Sequence, residues 1–124
     1  MSTLPASTPF VNILVTVKPS LTVGKQWDVV TAPVAPIITE HDTVINYQIF
    51  DSGSYDIVFT GMTVVPNSST QLSAASVSVS GKLLTFSDAN TQRTDFNITL
   101  NFALRNVVGS EFTHDPQITN NPPS

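Results

Sequence analysis

The chain has 124 residues, enough for one domain with one hydrophobic core, and nine acidic against five basic residues give it a net charge of −4. No basic cluster occurs, which excludes nucleic acid as an expected partner, and the absence of cysteine excludes a disulfide framework, a thiol nucleophile and a thiolate metal site. With 40% apolar but only 11% charged residues, most of the surface must be Ser, Thr, Asn and Gln, as in β-proteins with a solvated sheet face.

Residues 1–9 carry no positive leader and no long apolar stretch. They read as an unprocessed start of a soluble protein, cytoplasmic or the mature form of an exported one. All apolar runs fall far short of the roughly 20 residues that span a bilayer, so no membrane partner is expected. Phe10 to Lys18 then sets Val11, Ile13, Val15 and Val17 on one face of a strand. Lys25 to Thr31 reads as a second strand, Pro33 to Pro36 as an edge or crossing loop, and Thr43 to Phe50 as a strand with both faces partly apolar.

Asp51-Ser52-Gly53-Ser54 is turn chemistry, followed by a strand over Tyr55 to Val65 with a bulge expected at Gly61 and a stop at Pro66. Ala74 to Ser80 alternates Ser and Val, and Gly81-Lys82 turns it into Leu83 to Ser87 as a hairpin. The clearest alternation follows: Phe96, Ile98, Leu100, Phe102 and Leu104 point one way, and Asp95, Asn97, Thr99, Asn101 and Arg105 the other. Gly109 to Thr113 reads as a last short strand, and Gln117 to Ser124 as a tail. The expected fold is a single all-β domain over residues 1–124, an antiparallel, Ig-like β-sandwich of seven or eight strands.

Sites for ordinary chemistry are sparse. His41 and His114 are the only histidines and have no partner at metal-ligand spacing. No Gly-rich phosphate loop or nucleophile elbow occurs, so neither cofactor nor metal is expected. Asn67-Ser68-Ser69 and Asn97-Ile98-Thr99 match the glycosylation triplet, which carries little weight without a signal peptide. Asp28, Asp42, Asp51, Asp56 and Asp88 lie at strand ends or turns, where carboxylates cap backbone amides. Asp95 differs in starting the polar face of the best-defined strand.

Asp115-Pro116 is the remaining chemical feature. An aspartate carboxyl can reach its own carbonyl carbon, or hold a water there, and proline nitrogen is a comparatively basic leaving group. Held in place, such an intramolecular reaction has an effective molarity of ~10⁵ M or more. Most Asp-Pro pairs are merely turn elements, so the dipeptide alone decides little.

The alternating run Asp95 to Phe102, then Glu111-Phe112-Thr113-His114-Asp115-Pro116 and an Asn/Pro tail, in a short all-β chain, resembles the DP-EP family of small bacterial β-sandwich proteins described as self-cleaving Asp-Pro endopeptidases. The likeness extends over nearly the whole chain in length and architecture, with the C-terminal Asp-Pro as its specific match. It implies single-turnover, aspartic-type autoproteolysis between Asp115 and Pro116. The piece Pro116 to Ser124 would stay bound in the sandwich, and the chain would be its own partner both as substrate and in self-assembly, which free edge strands also permit.

The resemblance also implies a lysine amine that becomes joined to the new aspartate carboxyl. That lysine is expected on the face of Asp95, Asn97 and Thr99, yet none follows Lys82, and Asn97 stands where it is expected. The expectation is hydrolysis without a cross-link, or slowed processing. Asp115 would activate water or form a cyclic anhydride, helped if burial raises its pKa. His114 is a candidate proton donor to the proline nitrogen if a turn brings it round, Asp95 or Glu111 an alternative acid or base, and Asn97 a hydrogen-bond donor to the scissile carbonyl. The competing reading is a non-catalytic binding or assembly module, since fold alone does not choose.

Overall fold

The computed structural model describes residues 8–67 and 70–123. Residues 1–7, where an unprocessed start is expected, and Ser68-Ser69 of the first glycosylation triplet lie outside the described residues. Ten strands follow one another: β1 (Phe10–Pro19), β2 (Trp27–Ala32), β3 (Ile37–Ile38), β4 (Thr43–Asp51), β5 (Ile57–Val65), β6 (Ser76–Val77), β7 (Leu83–Asp88), β8 (Thr94–Leu104), β9 (Phe112–His114) and β10 (Gln117–Asn120). One sheet has the order β2-β1-β4-β7-β6; the other has β3-β10-β8-β5, with β9 also paired to β8. Among the described residues no helix is long and apolar enough to cross a membrane.

The all-β sandwich matches the expectation, with two corrections. Ten strands replace seven or eight, because Ile37–Ile38, just past the expected Pro33 to Pro36 loop, forms β3, and Gln117–Asn120 is a strand rather than a tail. The sheets are also mixed: β1 pairs with β4, and β10 with β3, in parallel.

Period-two alternation explains the core. Ile13, Val15 and Val17 of β1, Ile45, Tyr47 and Ile49 of β4, Leu84 and Phe86 of β7, and Phe96, Ile98, Leu100 and Phe102 of β8 all face the space between the sheets and are buried. An aromatic string crosses that space. Ring centroids lie 5.1 Å apart for Phe59 and Phe102, 5.1 Å for Phe102 and Phe112, and 5.5 Å for Phe112 and Trp27. Through Phe112, short β9 is thus packed against both sheets, and the chain entering Asp115 is held by the core.

The bulge expected in β5 is present as a register shift between Phe59 and Gly61. The Ser/Val hairpin is shorter than its alternation suggests. Only Ser76 and Val77 pair with β7, while residues 78–82 form the turn, closed by the Ser78 amide on the Leu83 carbonyl at 2.9 Å. Gly81 in that turn has φ +77°, and a Cβ there would sit 2.7 Å from two carbons of Val58. Gly81→Ala therefore combines backbone strain with overpacking and is expected to cost about 1–3 kcal/mol, read as a lower urea midpoint at unchanged slope. An unchanged midpoint would mean that the turn does not close on β5 as described.

Of the aspartates assigned to caps, Asp51 accepts the Gly53 amide at 2.9 Å and pairs with Lys18. The Gly53 amide first, then Lys18, holds its carboxyl below the usual range. Asp56 instead bridges Lys82 and Arg105, whose hydrogen bonds likewise lower it. Asp88 caps the Asn90 amide at 2.9 Å but is fully buried.

Candidate functional site

Strand β8 is the template for the C-terminal segment. His114 of β9 pairs with Leu100, and Gln117 of β10 pairs with Asn97. Two residues separate these pairs on each strand, so Asp115 faces Thr99 and Pro116 faces Ile98 with no slip in register. The Ile98 amide donates to the Pro116 carbonyl at 2.8 Å. Proline has no N–H to return that bond, so the ladder loses one rung there and β9 and β10 are two strands on one line.

Alternation then decides which side chains meet. Because Ile98 and Pro116 form the backbone-bonded pair, the flanking pairs are the closely spaced kind whose side chains touch. Each is joined. Thr99 Oγ1 donates to Asp115 Oδ1 at 2.8 Å, Gln117 Nε2 to Asn97 Oδ1 at 3.1 Å, and Thr119 Oγ1 to Asp95 Oδ1 at 2.9 Å. The polar face of β8 is thus one half of a ladder on the outer surface of the sheet. In the same pairing the backbone N–H and C=O of Asp115 point away from β8, and among the described residues no strand pairs with the far side of β9. The Asp115 carbonyl is turned to that open side.

The predicted site residues are only partly brought together. Asp115 is exposed, not buried, because its strand position faces outward. Asn97 is its diagonal neighbour, roughly 7–8 Å away by strand geometry. It is engaged with Gln117, not with the Asp115 carbonyl. Asp95 lies four residues from Thr99, roughly 13 Å along β8, and accepts from Thr119. Glu111 lies beyond the other end of β9, in a shallow groove with Val58, Thr60 and Ala103.

No turn brings His114 round. It pairs with inward-facing Leu100, so its ring lies on the opposite face of the sheet from the Asp115 carboxyl and is half-buried. Burial pushes its pKa below the usual histidine value, Asp115 opposes that shift and Lys25 adds to it. The ring is therefore held toward its neutral form. Thr99 is the contact that sequence reasoning passed over. Its place on the polar face was readable, but which member of that face meets Asp115 depends on pairing across the chain.

Fold and site together define a small β-sandwich protein whose Asp-Pro peptide lies within a paired strand line, its carboxyl on the outer face. The family model of the DP-EP family matches residues 9–122, nearly the whole chain, and the chain belongs to that family. No curated protein matches it.

Proposed function

We propose that the protein cuts its own Asp115–Pro116 bond and keeps the released C-terminal piece docked through β10 (Gln117–Asn120) in the second sheet. The observation that carries this reading is the unbroken register across the bond: both sides stay paired to β8 while Thr99 holds the Asp115 carboxyl at its outer face. Such fixing is what turns a slow intramolecular reaction into an effective one.

In the proposed step, one carboxyl oxygen of Asp115 attacks the Asp115 carbonyl carbon. The C–N bond to Pro116 breaks as the carboxyl proton passes to the proline nitrogen, and water opens the five-membered anhydride to two carboxyl groups. Water reaches the site because the side chain is exposed and the carbonyl faces the open side of β9. Thr99 positions one carboxyl oxygen and leaves the other free to react. Asp95, farther along β8, and Glu111, beyond the start of β9, are too far from this bond to act on it directly.

A non-catalytic assembly module is the competing reading, favoured by a ladder in which Asp95, Asn97, Thr99 and Asp115 already satisfy one another or their strand partners. Intact mass over days separates the two. Self-cleavage gives a denatured mass lacking the nine residues Pro116 to Ser124, while the native complex keeps both pieces and gains only the one water taken up in hydrolysis. A full-length denatured mass throughout overturns it.

Asn97→Lys adds the amine that the family resemblance leads one to expect. From a diagonal position a long side chain reaches the Asp115 carboxyl. The variant is expected to process faster or to give two pieces that remain joined on a denaturing gel. If it does neither, position 97 is not the lysine position.

A further inference from the structure

A second polar cluster lies apart from the cleavage site, where β10 ends against β7. Asp88, Asn90 and Asn120 are all fully buried, and Gln71 nearly so. Asn120 Nδ2 donates to Asp88 Oδ1 at 3.0 Å and to Gln71 Oε1 at 3.4 Å. The Asn90 amide donates to the same Asp88 oxygen, and Asn90 Nδ2 to the carbonyls of Ile38 and Glu40 at 3.0 and 3.1 Å. Gln71 Oε1 also takes the Thr91 and Gln92 amides. Two segments distant in sequence, at Gln71 and Asp88, therefore meet on the Asn120 side chain of the C-terminal strand, and a third, at Ile38 and Glu40, is tied in through Asn90.

A donor count exposes an imbalance. Both carboxamide groups of Asn90 and Asn120 have spent their N–H donors on acceptors, which fixes their orientation. Asp88 Oδ2, Asn90 Oδ1 and Asn120 Oδ1 are left as buried oxygens that accept no hydrogen bond from any described residue. A buried carboxylate in such company is repelled by its surroundings; a carboxylic acid is not, because its O–H supplies a donor.

Among the described residues no cation pairs with Asp88. The ionisable residues nearest in the chain or by contact are Glu40, His41, Asp42 and Arg93. Glu40 offers only its backbone carbonyl, Asp42 bonds the Ala89 carbonyl through its backbone amide, and Arg93 donates to Asn121. His41 is exposed in the loop before β4. No ion pair reaches Asp88 among the described residues.

We propose that this cluster is a latch that recognises Asn120 and holds β10 in the sandwich by side-chain bonding, and that Asp88 acts in it as a neutral acid. The latch belongs to the fold and does not require the bond at Asp115–Pro116 to be cut. It also accounts for a strand whose sequence carries one large apolar residue, Ile118. Desolvation raises the Asp88 pKa, opposed by the Asn120 and Asn90 hydrogen bonds. A raised carboxyl contributes stability that is complete below its unfolded value of about 3.9 and is lost as pH rises through the folded value. The latch is therefore firmest in acid.

Amide hydrogen exchange on the full-length chain tests this without reference to cleavage. Asp88→Ala and, as a second and milder variant, Asn120→Ala are expected to lower protection of the Ile118 to Asn121 amides about 10-fold or more, with β4 amides much less affected. Asp88→Asn keeps a donor in place of the acid and should retain wild-type protection while losing its decline with rising pH. Unchanged β10 protection in both alanine variants overturns the latch. Protection in Asp88→Asn as low as in Asp88→Ala overturns the neutral acid.

Discussion

Asp115→Ala is expected to abolish the loss of Pro116 to Ser124, because it removes the group that attacks. The remaining hydrolysis must draw its nucleophile from solvent, and forfeiting an effective molarity of ~10⁵ M or more leaves no product over weeks. The neighbouring substitution Pro116→Ala should slow cleavage without abolishing it, since the carboxyl stays in place while the leaving nitrogen becomes less basic. Intact mass under denaturing conditions reads both variants against wild type. If Asp115→Ala loses the same nine residues at the wild-type rate, a contaminating protease is responsible and the intramolecular reading is wrong.

The second large effect concerns what holds the site in place. Phe102 is fully buried on β8, stacked on Phe112 of β9 and tilted against Phe59 of β5. Phe102→Ala removes the middle ring of the string and leaves a cavity, at a cost of about 3–5 kcal/mol. For a domain of this size the melting midpoint should fall by roughly 10–20 °C. Because Phe112 loses its inward partner, the segment entering Asp115 is loosened too, and any cleavage should slow in the folded protein. A drop below ~1 kcal/mol would show that the string is not packed as described.

Strand β8 was readable because Phe96, Ile98, Leu100 and Phe102 on one face are buried while Asp95 and Asn97 on the other are exposed, so alternation survives in the residue types. Strand β10 was not. Gln117-Ile118-Thr119-Asn120 has the look of a tail, and its place as a strand depends on a free edge of β8 and on the burial of Asn120 beside Asp88. The Ser/Val alternation before Gly81 misled in the opposite direction, since Val79 lies in the turn and packs against nothing. Asp88 reads as a turn cap, which it is, but a local pattern carries no information about burial by a strand more than 30 positions away.

At the candidate site the limit was register. Period-two geometry placed Asp95, Asn97 and Thr99 on one face, and the same rule placed His114 opposite Asp115. Which residue of that face meets Asp115 is set by long-range pairing, and the answer is Thr99. Asp115 was expected to benefit from burial, and the outward strand position gives it exposure and a hydroxyl partner instead.

The continuity of pairing across Asp115 and Pro116 bears on how the protein would refold after use. While the chain is whole, refolding is unimolecular and independent of concentration. Once the bond is cut, the sandwich is a two-component complex whose apparent stability follows mass action between the main body and a nine-residue peptide. The native molecule keeps its shape, yet a single cycle of unfolding in dilute solution separates the pieces. A protein cut in this way would fold once under favourable terms and thereafter rest on its unfolding barrier, so a cut would convert an equilibrium structure into a kinetically maintained one.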